Sequence, residues 1–512
     1  MGLFSLLVGI VYAALLLLLT AQGALRWVQV VRALRYRRTP PDVPQPVGEP
    51  PFVTVQLPLY NERDVVVRLI NAAAALDWPK HRFEVQLLDD STDDTAAVAA
   101  SAIARARASG VALSVVSRAD RSGWKAGALA NGLASARGEL IAIFDADFVP
   151  QPDVLRRLVP HFQVADVGMV QARWGHINAD ESWLTRAQAR MLDAHFSVEH
   201  LSRNRAGLWF NFNGTAGIWR KACIEAGGGW QGDTLTEDLD LSYRAQMAGW
   251  RFVYRDDVVV PAELPSSMPS LLAQQRRWAK GSVETLLKLG RRMLSSKAPV
   301  LVRLEGLQHL SGNLAWPFAV ALAALLPVVA AFPIDPVARS IMVGIPTFLL
   351  ASLSHGTFFA LAARGKWRDL PLAVVLGVGL SISQAGAVLE ALWGHRTGFL
   401  RTPKRGETAG SYPNEAPTTL PIELVLATWH VLGMGHELAQ GRWDAIPLMM
   451  VFAAGFGWVG VGRLRDAVTQ PIAAPARTDR EPKAPAPEPA PAPALRGPRF
   501  HRPEAPQDGC IR

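Results

Sequence analysis

Apolar residues are spread unevenly along this chain, and their placement restricts its plan more than any other feature. They concentrate at residues 3–25 and again between about 309 and 463. A helix crosses the hydrocarbon core of a bilayer with about 20 consecutive apolar residues. The expectation is therefore a soluble unit held between membrane segments. Residues 1–38 read as a membrane helix with a basic flank, 39–51 as a proline-rich linker and 52–263 as an α/β domain. Residues 264–308 read as amphipathic interface helices, 309–466 as membrane and interfacial helices, and 467–512 as a disordered tail of Pro, Ala and charge. Leu3 to Leu25 is uncharged. A cleaved signal peptide is the alternative, but no basic stretch precedes it and no clear small-residue cleavage site precedes Arg26. Arg26, Arg32, Arg35, Arg37 and Arg38 follow it and favour the cytoplasmic side for what comes next.

The later apolar segments fall at about 311–333, 340–363, 368–393, 419–437 and 443–463. The loops 364–368 and 396–405 are both basic, so both favour the cytoplasm, and one full span cannot separate them. Residues 382–394, with Ser383, Gln384 and Glu390, are therefore expected to lie at the interface or to re-enter. A charge at bilayer centre costs about 2.5–3.5 kcal/mol on insertion scales. The net charge is +9. Nucleic-acid binding would explain a basic chain, but here the basic residues flank membrane segments. Cys223 and Cys510 are the only cysteines, too few for a disulfide framework or a zinc site.

Between the membrane segments the chain alternates strand and helix. Phe52–Leu57, Phe83–Leu88, Val111–Val116 and Glu139–Phe144 read as strands, and Asp64–Leu76 and Asp93–Ala108 as helices. This pattern predicts a parallel sheet with crossover helices. Ligands bind beyond the carboxyl ends of such strands. Asn61-Glu62, Asp89-Asp90 and Asp145-Ala146-Asp147 all fall there. Beyond residue 150, Asp180–Ser202 reads as an amphipathic helix. Phe212 to Gly217 reads as a small-residue turn. Thr236-Glu237-Asp238 begins a helix to about Ala248, and Leu271–Leu289 forms a helix suited to a membrane surface.

Several side chains admit both a chemical and a structural reading. Asp145 and Asp147 face the same way on an extended chain and suit a hard divalent cation shared with phosphate; alone they could be a solvated turn. Asp89 and Asp90 can accept hydrogen bonds from a nucleoside or cap the next helix, a task that Asp93 fits better. Lys125 can meet a diphosphate or sit in solvent. Asp238 can act as a proton acceptor, and Glu237 beside it can orient a site. Both acids are also at home in a first helical turn. Gln274 and Arg277 share a helix face at i, i+3. Trp278 offers a flat face to a sugar, or anchors at a membrane interface.

In order, Asp89-Asp90, Asp145-Ala146-Asp147, Thr236-Glu237-Asp238 and Gln274-Gln275-Arg276-Arg277-Trp278 resemble the D, D, D, QxxRW series of processive family 2 glycosyltransferases. The strings Gln56–Glu62, Leu88–Thr95, Lys125–Leu129 and Phe399–Lys404 belong with them, so the likeness runs from about residue 50 to 406. It is strongest to the cellulose-synthase-like glucomannan and xyloglucan-backbone synthases. The resemblance implies an α/β GT-A domain, Rossmann-like with a mostly parallel sheet, in the cytosol beside an α-helical transmembrane bundle. It implies inverting transfer of a hexose from UDP-glucose or GDP-mannose to a growing β-glycan, with export. Glu62, Asp89, Asp90, Lys125 and Asp145 would bind the nucleotide, and Asp145 and Asp147 a Mg²⁺ or Mn²⁺ ion. Asp238 would be the base with Glu237 beside it. Gln274, Arg277, Trp278, Gly214 and Thr215 would meet the acceptor, although cellulose synthases carry a cysteine in that turn. Thr402 and Lys404 would belong to a gating loop. The implied partners are the donor, a glycan or glycolipid acceptor and the bilayer, not nucleic acid; protein partners are left open. A transferase that makes a glycolipid in one transfer, and a transporter or scaffold with an inactive nucleotide domain, are the alternatives.

Overall fold

The computed structural model describes residues 3–38, 43–45, 48–332, 358, 365–395, 397 and 421–469. The chain enters through helix α1 (Leu3–Tyr36). It then builds β1 (Val53–Leu59), α2 (Val66–Ala74), β2 (Phe83–Asp89), α3 (Thr95–Ala108), β3 (Ala112–Val116), α4 (Trp124–Ser135) and β4 (Leu140–Ile143). These match the alternation expected from the sequence. After α5 (Val154–Leu158) come β5 (Val167–His176), α6 (Trp183–Ala194), a π-helical stretch at His195–His200, and α7 (Leu201–Arg205). Then follow β6 (Gly217–Arg220), α8 (Lys221–Ala226), α9 (Glu237–Met247), β7 (Arg251–Ala262) and α10 (Met268–Leu294).

The seven strands form one sheet in the order β3-β2-β1-β4-β6-β5-β7. β1 pairs in parallel with β2 and β4, β2 with β3, and β5 with β7; β6 runs antiparallel to both β4 and β5. Strands β1, β2 and β4 are nearly wholly buried, as strands covered on both faces are, and the polar residues of β1 and β2 meet each other, Thr54 with Glu84 and Gln56 with Gln86. Val53, Val55, Leu57, Phe83, Val85 and Leu140 pack against Leu69, Ile70 and Ala102 of the crossover helices. This is the mostly parallel GT-A arrangement. The sequence pattern left three strands unread: β5, β6 and β7. The expected single helix over Asp180–Ser202 is a helix interrupted by the π turn.

Beyond α10 lie α11 (Val300–Ser311), α12 (Ala315–Ala331), α13 (Leu370–Leu392), α14 (Ile422–Ala439) and α15 (Ile446–Thr469). Among the described residues four helical stretches are long and apolar enough to cross a membrane: Leu3–Tyr36, Val300–Ala331, Trp367–Leu392 and Ile446–Asp466. Tyr12 and Leu16 of α1 pack with Leu322 and Leu326 of α12 and Met449 of α15. Gly379 and Gly455 let α13 and α15 touch, since a Cβ on Gly379 would stand 2.3 Å from the Gly455 carbonyl, a close approach typical of membrane helices.

The structure refines two expectations. Residues 382–392 are not a separate helix but continue α13 without a break. Its polar residues are met by α10 instead. Gln384 donates to Gln275 (3.2 Å), Arg276 donates to the Ser383 carbonyl (3.0 Å), and Glu390 binds Arg276 (2.6 Å) and Lys280 (3.4 Å). The expected span at 419–437 is the helix α14, but with Glu423, His430, His436 and Glu437 it falls outside the four apolar candidates. Most of the segment 340–363, the tail from 470 onward, and Thr402 and Lys404 lie outside the described residues.

Candidate active site

The sheet delivers its chemistry to one edge. β1, β2 and β4 end there, and so do β5 and β7. Because β6 is antiparallel, its entry turn arrives at the same place, with Gly217 opposite Ile143. Residues Asn213–Ala216 therefore lie across the end of β4. The Asp145 N–H donates to Thr215 Oγ1 (2.8 Å), and the Ala216 N–H donates to the Ile143 carbonyl (2.9 Å). Three non-glycine residues with positive φ, Asn61, Trp124 and Ala216, sit in or beside this edge, where folded chains tolerate backbone strain.

One cavity at this edge is lined by Glu62, Asp90, Lys125, Asp145, Asp147, Gly214, Glu237, Asp238, Gln274, Arg277 and Trp278. Eleven of the fifteen side chains singled out from the sequence thus meet, from elements spread over more than 200 residues. Two of the others have visible structural tasks. Asp89 is buried and accepts from the Ser91 N–H (3.0 Å). Thr215 is buried and holds Asp145 as described. Thr402 and Lys404 lie outside the described residues.

At one end, Asp90 is gripped by the Arg118 guanidinium, whose Nε donates to Oδ1 at 3.0 Å while Nη2 bonds Oδ2. Arg118 also donates to the carbonyls of Ser122 (2.8 Å) and Trp124 (2.9 Å). Asp90 thereby fixes the loop that ends in Lys125. The Arg121 guanidinium lies 3.2 Å from the centre of the Tyr60 ring. In mid-cavity, Lys125 Nζ donates to Asp145 Oδ1 (2.5 Å) and to the Gly214 carbonyl (2.9 Å). Burial would lower the Lys125 pKa, but the charges of Asp145 and Glu237 outweigh it and raise it. Gly214 has φ +81°, and a Cβ there would stand 3.1 Å from Asp238 Oδ2 and 3.5 Å from Lys125 Nζ. A larger residue would crowd both.

Asp238 enters at the start of α9. Burial, reinforced by the charge of Glu237, pushes its carboxyl up to about 7, against the opposing pull of Lys125, the Leu239 N–H and Arg277. Helix α10 fixes this segment. The Leu235 N–H donates to Glu284 (2.8 Å), Thr236 packs on Gly281, and Lys288 reaches buried Asp240 (3.1 Å). The same helix presents Gln274, Arg277 and Trp278 to the cavity at i, i+3 and i+4, while Gln275, Arg276 and Lys280 face α13. Trp278 lies 6.4 Å from Trp174, itself edge-on to Phe148 at 5.2 Å.

The sequence reading missed Trp174, His176, Asn213, Tyr60 and Arg121, all of which line the cavity. Trp174 and His176 end β5; the run Val167–Ala172 was the signal for that strand. A divalent ion fits the donor set. Asp145 and Asp147 offer hard oxygen ligands, and among the described residues no cluster of three acidic, His or Cys groups could hold a metal by itself. Two carboxylates leave positions for phosphate oxygens.

Comparison with known proteins agrees with this fold. Residues 50–281 match the family described as glycosyltransferase like family 2. The chain carries a glycosyltransferase family 2 domain. Glucomannan 4-beta-mannosyltransferase 1 of Oryza sativa subsp. japonica is 43% identical over 263 residues, covering 50% of this chain and 50% of the relative. Glucomannan 4-beta-mannosyltransferase 2 of Arabidopsis thaliana is 43% identical over 252 residues, covering 48% of this chain and 47% of the relative. The chain thus spans about half the length of these relatives in the match. Among solved structures, the mannosyltransferase PcManGT from Pyrobaculum calidifontis, in complex with GDP-Man and Mn²⁺, superposes with a TM-score of 0.54 at 25% identity. That match covers 76% of this chain and all of that one.

Proposed function

We propose that this protein is a membrane-embedded, inverting hexosyltransferase that uses a nucleotide sugar to extend a β-linked glycan, passing the product through its membrane helices. Its catalytic domain faces the cytoplasm of a bacterial-type inner membrane. Mannose from GDP-mannose is the first choice of donor, supported by the mannosyltransferase relatives and by the ligand named for PcManGT; UDP-glucose is the second. The observation that carries the reading is the shared cavity, with Asp238 against Gly214 and Lys125 bonded to both Asp145 and the Gly214 carbonyl.

The chemistry follows from these positions. Asp238 takes the proton of an acceptor hydroxyl as that oxygen attacks the anomeric carbon. The bond from that carbon to the diphosphate oxygen breaks on the opposite face, so configuration inverts. The leaving nucleoside diphosphate gains negative charge, and Lys125 and Arg277 offset it from fixed positions. Asp145 and Asp147 would hold a Mg²⁺ or Mn²⁺ ion, which supplies Lewis-acid stabilisation of the diphosphate. Glu62, Asp90, Tyr60 and Arg121 form the nucleoside end. Gln274, Trp278 and Trp174 form the end for the acceptor sugar, where flat aromatic faces suit a pyranose ring.

Membranes containing the protein should incorporate labelled mannose from GDP-mannose into a β-linked polymer. A product of one sugar on a lipid would overturn the polymer reading, and no transfer from any nucleotide sugar would overturn the whole.

A further inference from the structure

The reaction above leaves unused a polar chain behind the Asn213–Ala216 turn. It begins in the π-helical stretch His195–His200, a rare turn often found at functional sites. The largely enclosed carboxylate of Glu199, 14% exposed, lies 3.4 Å from His195 Nδ1. It also meets Arg26 of α1 (3.4 Å), His309 of α11 (3.5 Å) and Arg203 (3.7 Å). Burial alone would raise its pKa, yet the hydrogen bond to His195 and the surrounding positive charge hold it well below the usual carboxylate range. An ionised carboxylate only accepts hydrogen bonds, so Nδ1 of His195 carries the proton. In the neutral ring Nε2 is then an acceptor, and it lies 3.1 Å from Asn213 Nδ2.

This bond decides which way round the Asn213 amide sits, because its NH₂ is committed to the histidine. Its Oδ1 is buried and has no partner among the described residues. Asn213 lines the cavity. It precedes Gly214, which packs on Asp238. A buried carbonyl oxygen left without a donor is costly, and a sugar hydroxyl is a donor.

We propose that Asn213 accepts a hydrogen bond through Oδ1 from a hydroxyl of the acceptor's terminal sugar, and that His195, oriented by Glu199, is the positioning residue that holds the amide in that sense. The hydroxyl used for attack would be the one left facing Asp238. This rests on the transferase reading above and adds the residue that aligns the acceptor.

The test uses the full chain in lipid nanodiscs with GDP-mannose and a β-1,4-linked manno-oligosaccharide. Transfer to the oligosaccharide and hydrolysis of the donor are both followed. His195→Phe keeps the ring volume and removes both nitrogens; it should raise the acceptor KM about 5–10-fold, the worth of one hydrogen bond, with the donor KM unchanged. His195→Gln, whose Oε1 can accept from Asn213, should recover part of the loss. Adding His195→Phe to Asn213→Ala should do no further harm, because the two act as one unit. An unchanged acceptor KM in a folded His195→Phe protein, or an equal rise in the donor KM, overturns the inference. If His195→Phe does not fold, Asn213→Ala alone decides: an unchanged acceptor KM overturns it. A wild-type protein that transfers no sugar removes the transferase reading and this one with it. An active wild type with a flat His195 series removes only this one.

Discussion

The two ends of the cavity are built on opposite terms. At the proposed nucleotide end, charged groups are already paired with each other: Arg118 with Asp90 and Lys125 with Asp145. At the proposed acceptor end the walls are aromatic, with Trp174 beside Trp278 and Phe148. A diphosphate needs fixed charge, and charge in a closed site must be held ready by its own partners. A sugar ring needs flat apolar faces and a few hydrogen bonds. Asp238 lies in the same cavity, and its raised pKa reflects burial reinforced by the like charge of Glu237.

If the two ends work separately, changes at one should leave the other intact. The largest effect is expected from Asp147→Asn. Loss of a carboxylate proposed to hold the metal and diphosphate should lower transfer about 100- to 1,000-fold, read as initial rate across a Mn²⁺ titration, with acceptor binding preserved. The pH profile comes next. A base with a pKa of about 7 is protonated below that value, so kcat/KM should fall about tenfold for each pH unit below it. The native carboxyl binds its proton more tightly than an unfolded one. Stability from this group should therefore be greatest at acid pH and fall as pH rises from near 4 to about 7. Thermal midpoints of wild type and Asp238→Asn across that range should diverge in favour of the variant at the upper end. Trp278→Ala should raise the acceptor KM about tenfold, within the range for a lost aromatic face, and leave the donor KM alone. A matching loss of donor affinity would dissolve the distinction between the ends. The smallest effect is expected for Glu390→Gln, which weakens the tie between α10 and α13. It should lower the thermal midpoint by a few degrees, for a loss of about 1 kcal/mol, and change the rate less than the others.

The same contrast governs what the sequence made legible. The proposed nucleotide end stands on β1, β2 and β4, whose strand-like segments between helices and following acids can be read directly from residues 52–148. The acceptor end stands on β5, β6 and β7. There β6 is only four residues long, and β7 carries Arg255, Asp256 and Asp257 in mid-strand, so neither shows a clear period. Trp174 and His176 were missed because β5 was missed. Asn213 was passed over because its task depends on His195, which lies 18 residues away and meets it only through the fold. Asp89 looked like a ligand, yet its carboxylate closes a local turn that spacing could not tell from a binding position. At α13, Ser383, Gln384 and Glu390 suggested a break because a sequence does not reveal that α10 will supply their partners.

The central claim is that Asp238 joins the two ends as the base. The most direct test is Asp238→Asn, with donor binding and sugar transfer measured on the same preparation. The account predicts donor affinity within about twofold of wild type and transfer lowered by about 100- to 10,000-fold, the span of general-base contributions. Transfer retained at near wild-type rate, with the fold and donor binding intact, would contradict it.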